Sequence, residues 1–330
     1  MTKLKLGFYW AASCGGCEIA VLEIAEKILK VIEIADVVFW PCVTDFKYDD
    51  VRKYADGYID VCLWNGGIRN SEAEEIAHLL RKKSKVLVAY GSCAHMGGIP
   101  ALANLYTKES IFERAYKTTE STDNPQGIYP QESFKMPEGE LHLPKFYERV
   151  LRLKDVVDVD YFMPGCPPTA KQTWAVIEAI ATGKLPPKGS IVGAGNKAVC
   201  DECPFEKKTE GVRIAKFKRP HLDKPDLTPM PELKNKPQCL LEQGFVCMGS
   251  ATRSGCEAQC LHANLPCRGC YGPAEGVEDQ GAKLASAIGS LIDSQGSPER
   301  AAEIAAGLVD PVGTFYRFGM SSSMMKGAKQ

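Results

Sequence analysis

Fourteen cysteines, at positions 14, 17, 42, 62, 93, 166, 200, 203, 239, 247, 256, 260, 267 and 270 of a 330-residue chain, constrain its folding more than any other feature. Each must be buried as a thiol, joined in a disulfide or spent on a metal. A disulfide framework needs an oxidising compartment. The amino-terminal MTKLKLGFYWAASCGG has no separate charged leader, apolar core and cleavage site, and no twin-arginine pair precedes it. No stretch approaches the roughly 18 uninterrupted apolar residues of a spanning helix. A reducing cytoplasm is the expectation, and there clustered cysteines point to metal. The net charge of −1 favours neither nucleic acid nor an anionic membrane as partner.

Up to about residue 185, strand-type runs alternate with helical ones. LKLGFYW (4–10), DVVFW (36–40), YIDVCLW (58–64), KVLVAYG (85–91) and VVDVDYFM (156–163) read as strands. Residues 18–34 carry apolar side chains round most of a helix, which predicts one well-buried helix. Ser71 with Glu74 forms a capping box for a helix through Lys83. A second helix runs from Thr169 to Thr182, stopped by Gly183. Strands alternating with helices predict an α/β domain with a parallel sheet covered on both faces. Residues 118–145 read as a long loop.

Composition changes after residue 186. Residues 204–238 are rich in Lys and Pro, and 239–275 hold six cysteines with few apolar residues between them. That stretch is not expected to build a core of its own. Helices are predicted over Gln280–Ile292 and from Ser297-Pro298-Glu299 onward. The division expected is 1–185, an irregular domain over 186–275, and a helical tail over 276–330.

Cys14-x-x-Cys17 follows the first strand, Cys93 follows the strand ending at 91, and Cys166 follows the strand ending at 163. All four thus leave the carboxyl edge of one parallel sheet, where open α/β folds build their sites. Gly15, Gly16, Gly97 and Gly98 allow close backbone approach, and Pro167 and Pro168 stiffen the last turn. Four thiolates converging from three segments suit an iron–sulfur cluster. Structural zinc more often uses paired C-x-x-C knuckles closed over a short loop. The remaining eight, Cys200, Cys203, Cys239, Cys247, Cys256, Cys260, Cys267 and Cys270, suffice for two further four-cysteine clusters. Spacing leaves their grouping open, and two zinc knuckles are the alternative.

With these residues in view, SCGGCE at the amino terminus, GSCAHMGG around Cys93 and PGCPP around Cys166 resemble the proximal-cluster ligands of [NiFe] hydrogenase small subunits. The resemblance covers residues 1–185 and continues to about 275. It implies a proximal [4Fe–4S] cluster on Cys14, Cys17, Cys93 and Cys166. In the best-known periplasmic members the distal cluster uses H-x-x-C plus two later cysteines. Here Cys200 stands in place of that histidine, followed by Cys203, Cys239 and Cys247. The medial site of those members is a three-cysteine [3Fe–4S] cluster. Here Cys256, Cys267 and Cys270 fit its pattern and Cys260 adds a fourth ligand, implying a third [4Fe–4S] cluster.

Such an all-[4Fe–4S] set, with the GPAEG…DPVGTFYR tail, is similar to the cytoplasmic methyl-viologen-reducing, F420-non-reducing hydrogenases. The resemblance then implies a flavodoxin-like first domain and an irregular cluster-binding second domain. The implied partners are a large subunit carrying the Ni–Fe site, a small [2Fe–2S] subunit and heterodisulfide reductase. No R-x-C-G-x-C or D-P-C-x-x-C pair is present, so hydrogen activation is expected on that large subunit. The rivals are the γ-subunit of an F420-reducing hydrogenase, the related subunit of respiratory NADH dehydrogenase, and a zinc-stabilised scaffold. The NADH dehydrogenase subunit carries a tandem Cys-Cys where this chain has C-G-G-C.

Four other features call for a reading. Glu18 is either a first-turn acid favoured by the helix dipole or a proton relay at the large-subunit interface. Cys42 and Cys62 are expected to pack in the core. His95 and His262 lie among the ligands and are placed to bond a cluster sulfur rather than to ligate iron. Gly193-Ala-Gly195-Asn-Lys-Ala198 matches a dinucleotide fingerprint, but no complete βαβ unit surrounds it, so it reads as a turn.

Overall fold

Five apolar runs become the strands of one parallel sheet. In the computed structural model, which describes residues 3–208 and 210–325, they are β1 (Leu4–Trp10), β2 (Ala35–Phe39), β3 (Ile59–Asn65), β4 (Ser84–Tyr90) and β5 (Tyr161–Met163). The order is β2-β1-β3-β4-β5, parallel throughout. This is the flavodoxin-like order of doubly wound α/β folds. Both faces are covered, so the runs are apolar without alternation. Phe8, Leu63, Val88 and Tyr90 pack with Val21, Val31, Val176 and Ile177 on one face. Tyr9, Cys62, Trp64 and Leu87 pack with Ile76, Ala77 and Leu80 on the other.

Three local readings change. The helix expected over 18–34 is two, Gly16–Leu22 and Lys27–Ile34, broken where Ala25 turns to φ 56°. Each piece lays one side on the sheet, leaving Ile19, Leu22, Leu29 and Ile32 exposed. The strand expected over 156–163 begins only at Tyr161. Before it, the Asp160 carboxylate accepts from the Leu87 amide at 2.8 Å and binds Arg81 and Lys188, taking a place that strand backbone would otherwise fill. The cap of the helix Ser71–Lys83 is Asn70, whose side chain accepts from Ala73 N at 2.8 Å. Ser71 Oγ instead accepts from Lys145 N, and Glu74 accepts from the Tyr147 hydroxyl. Within 118–145, Ser133–Met136 and Gly139–His142 form an exposed hairpin.

The chain forms two compact units. Among the described residues, one holds Lys3–Val192 and Met320–Met325; the other lies within Gly193–Gly319. In the first, Ser321 Oγ accepts from Asn104 Nδ2 and donates to Val150 O. In the second, the cysteine-rich stretch does share a core. Phe205, Ile214, Phe217, Leu240 and Phe245 join Leu284, Ile288 and Ile304, drawn from the helices Gln280–Leu291 and Pro298–Ala306. Burial of such side chains contributes roughly 1.5–3 kcal/mol each, so the later helices supply what the ligand loops lack. Among the described residues no helix is long and apolar enough to cross a membrane.

Candidate functional site

The sheet register aligns the strand ends. Trp10 pairs with Asn65, Asn65 with Tyr90, and Tyr90 with Met163. Cys14, Cys93 and Cys166 therefore leave from one row, three or four residues beyond it. The turn after β1 is pinned by Ala12 and Gly67, whose amides and carbonyls pair at 3.0 Å. Gly15 then turns to φ 79° and the helix Gly16–Leu22 presents Cys17, while Cys14 stays exposed. Cys93 sits in the short helix Ser92–Met96 after Gly91, at φ 88°. The Cys166 loop is tied to it: Ser92 N and Oγ both donate to Gly165 O, at 2.7 and 2.8 Å. Gln172 Nε2, from the helix Ala170–Ala181, donates to Pro164 O at 3.1 Å.

Glycine is required where backbone meets sulfur. A Cβ on Gly91 would overlap Cys17 Sγ, and one on Gly98 (φ 59°) would lie 2.5 Å from Cys93 Sγ. No disulfide joins any of the four. Burial pushes the Cys17 thiol up, and Cys93, Cys166 and Cys14 add to the shift. Burial, then Cys166 and Cys14, push Cys93 up to about 12. Burial, then Cys14, push Cys166 up to about 11. Cys17 and Cys93 each feel Cys166 and Cys14. Four thiolates so placed need a positive core between them. The buried carboxyl edge also holds polar atoms that no protein group satisfies: both of Asn65, whose residue is 1% exposed, and Oε1 of Glu18. Of these atoms only Asn65 Nδ2 is a donor that a cluster sulfur could satisfy; the four cysteines, from three segments at one edge, are the donor type that suits an iron–sulfur cluster.

Glu18 is buried, and the Cys42 thiol hydrogen-bonds to it. This corrects the reading of Cys42 as a core residue. It is exposed in the turn after β2, and burial, then Glu18, push it up to about 11. Cys62 does lie in the core, pushed up to about 12 by burial. The His95 ring lies 4.9 Å from that of Phe162, and His262 is exposed.

In the second unit, Cys200 sits in the turn Val199–Glu202, and Phe205 N donates to Cys203 Sγ at 3.4 Å. Cys200 acts electrostatically on Cys203 and Cys239, and Cys239 on Cys247. Cys260 acts on Cys256, while Cys270 and Cys256 act on Cys267. Cys247 stands at the junction: its sulfur accepts from Cys267 N at 3.3 Å, and Cys267 raises it more than Cys239 does. A Cβ on Gly249 would lie 3.4 Å from Cys200 Sγ and 3.6 Å from Cys247 Sγ. The fingerprint-like Gly193–Ala198 is a turn, bound by Arg253 Nη1 to Gly195 O at 2.8 Å and leading into a 3-10 turn.

Sequence reasoning passed over Lys207. Burial lowers its ammonium pKa, but Cys200, Cys239, Glu242 and a hydrogen bond to Cys200 outweigh that and hold it up. Its position four residues past Cys203 was the available signal.

A family model described as "NADH ubiquinone oxidoreductase, 20 Kd subunit" matches residues 14–180. The iron–sulfur subunit of the F420-non-reducing hydrogenase of Archaeoglobus profundus is 41% identical over 293 residues, 88% of each chain. The corresponding F420-non-reducing hydrogenase subunit of Methanothermobacter marburgensis is 39% identical over 98% of this chain and 96% of its own. The chain belongs to this family of F420-non-reducing hydrogenase subunits. It is accordingly a component of a hydrogenase, an oxidoreductase. The 20 Kd model spans the first cysteine set only, whereas the hydrogenase relatives extend through both units. Among solved structures, an NAD+-reducing [NiFe]-hydrogenase in the H2-reduced state is 30% identical, covering 56% of this chain and 94% of that one, with a TM-score of 0.48.

Proposed function

We propose that this chain is the small subunit of a [NiFe] hydrogenase and conducts electrons from the Ni–Fe site of a large subunit. The observation that carries the reading is the placement of Cys14, Cys17, Cys93 and Cys166, from three segments, at one sheet edge, with Gly91 and Gly98 against the sulfurs of Cys17 and Cys93. In this reading they hold a proximal [4Fe–4S] cluster. Cys256, Cys260, Cys267 and Cys270 hold a medial one, and Cys200, Cys203, Cys239 and Cys247 a distal one. When bound, such clusters supply one-electron relay.

The protein's part is to bind, shield and bias them. Gly91 and Gly98 keep space for the sulfurs of Cys17 and Cys93. Main-chain amides of Gly16, Phe205 and Cys267 donate to sulfurs of Cys14, Cys203 and Cys247. Lys207 places a cation at Cys200. Glu18, buried between Cys17 and Cys42, is the candidate proton relay. The exposed apolar side chains Ile19 and Leu22, on the helix that carries Cys17 and Glu18, and Leu29 and Ile32 on the next helix suit burial by the large subunit.

The acceptor in this reading is a cytoplasmic iron–sulfur or flavin protein of the heterodisulfide reductase type, reached through a small [2Fe–2S] subunit. The relatives' names favour this over an F420-reducing enzyme. The test is Cys166→Ala in the assembled enzyme. Loss of the proximal cluster signal and of hydrogen-dependent dye reduction is expected. Full activity removes Cys166 from the path.

A further inference from the structure

The second unit carries a face on which cations outnumber acids. The segment Lys216–His221 borders two hollows of about 590 and 260 Å3, which share Phe217, Arg219 and Gly307 and so form one depression. Lys216, Lys218, Arg219, His221, Arg268 and Arg317 line it. Three acids, Asp223, Glu303 and Asp310, stand among them and offset part of their charge. Asp223 accepts from the Arg219 amide and Asp310 from Gly313 N, each at 2.8 Å. Glu303 stands in the larger hollow beside Arg300, which pairs with Asp293 at 3.0 Å. Among the described residues, none of Lys216, Lys218, Arg219, Arg268 and Arg317 pairs with a carboxylate. Arg317 Nε is buried without an acceptor.

Crowded, unpaired cations create a positive potential that an incoming anion relieves. Two features favour a protein over a small anion. The depression extends over both hollows, longer than one phosphate can fill. Its edge also carries exposed apolar side chains, Leu222 at 71% and Val309 at 64%. Arginine with apolar neighbours is the composition of protein interfaces. Arg268 directly follows Cys267, so a molecule docked there lies beside a candidate cluster ligand.

We propose that this face docks the acidic surface of a protein redox partner. The proposal rests on the electron-transfer reading above. Charge complementarity of this kind governs association rate and its salt dependence. The probe is an acidic plant-type [2Fe–2S] ferredoxin, and the protein is the intact hydrogenase complex immobilised for interferometry. The variant is Lys216→Glu with Arg219→Glu, two exposed positions outside the cysteine sites. At low ionic strength the dissociation constant is expected to rise about tenfold or more in the variant, while Arg219→Lys stays close to the parent. Raising the salt should weaken the parent and leave the variant nearly unchanged. Equal binding by parent and charge-reversed variant, or parent binding indifferent to salt, would overturn the proposal. Hydrogen-dependent reduction of benzyl viologen by the same preparations reports the electron path separately. A parent that reduces no dye fails the underlying reading, whereas dye reduction with unchanged ferredoxin binding fails the docking proposal alone.

Discussion

Gly91→Ala tests the first site most sharply, because a matched control exists at Gly183. Both glycines have positive φ, 88° and 66°. Gly91 also has ψ 165°, a region that is essentially glycine-only and costs a side chain about 1–3 kcal/mol. At roughly 2–4 °C per kcal/mol for a unit of this size, the backbone alone predicts a fall in Tm of about 2–12 °C. Gly183 lies in the ordinary left-handed region, where alanine costs about 1–2 kcal/mol and its Cβ meets nothing within 4 Å. What separates the two is the sulfur. The new Cβ at 91 overlaps Cys17 Sγ, with Gly165 O 3.6 Å from it. The thiol can escape by rotating, but it then leaves the position shared with Cys93, Cys166 and Cys14. The assay is iron per chain by mass spectrometry, beside Tm by calorimetry, on protein purified without air. Gly91→Ala should lose about four irons, the content of one [4Fe–4S] cluster. Gly183→Ala should keep its iron and show only a modest fall in Tm. Full iron in Gly91→Ala would refute the placement of Cys17 at the site.

Other consequences follow from the same geometry. The Asp160 carboxyl is held below its usual range: burial raises it, but Lys188, Arg81 and the Leu87 amide outweigh that. A depressed carboxylate stabilises above its unfolded pKa of about 3.9 and loses the contribution as pH falls through the folded value. Asp160→Asn should therefore cost about 1.5–3 kcal/mol near neutrality, and the Tm gap to the parent should narrow as pH falls below about 4. A gap that persists at low pH would argue against the ion pairs. Thr169→Ala removes the cap of the helix Ala170–Ala181, where Thr169 Oγ1 accepts from Gln172 N at 3.2 Å. It should cost about 1 kcal/mol by calorimetry and leave iron content unchanged, since the cap orients the helix rather than Cys166 itself.

Much of the sheet was legible because a strand covered on both faces must be apolar along its whole length. β1, β3 and β4 read within a residue of their bounds for that reason. The departure of Cys14, Cys93 and Cys166 from one edge was legible too, since parallel strands deliver their carboxyl ends to one side. What escaped depended on particular side-chain contacts. The turn at Ala25 has no Gly or Pro to mark it, and periodicity cannot show where a helix divides. Asp160 shortened its strand by bonding Leu87, far away in sequence. Asn70 took the cap from Ser71 because Ser71 is held by Lys145, again a distant contact. Cys42 reads as a core cysteine because nothing local in sequence marks the Glu18 carboxylate it bonds. The second unit's core was hidden because its apolar residues are scattered from Val199 to Ile304.

The central claim is that twelve of the fourteen cysteines hold iron and sulfide. The direct measurement is metal and acid-labile sulfide analysis of the chain purified without air. Three four-iron clusters predict about twelve irons and twelve sulfides per chain. Zinc with little sulfide would contradict the account and leave a metal-stabilised scaffold in its place.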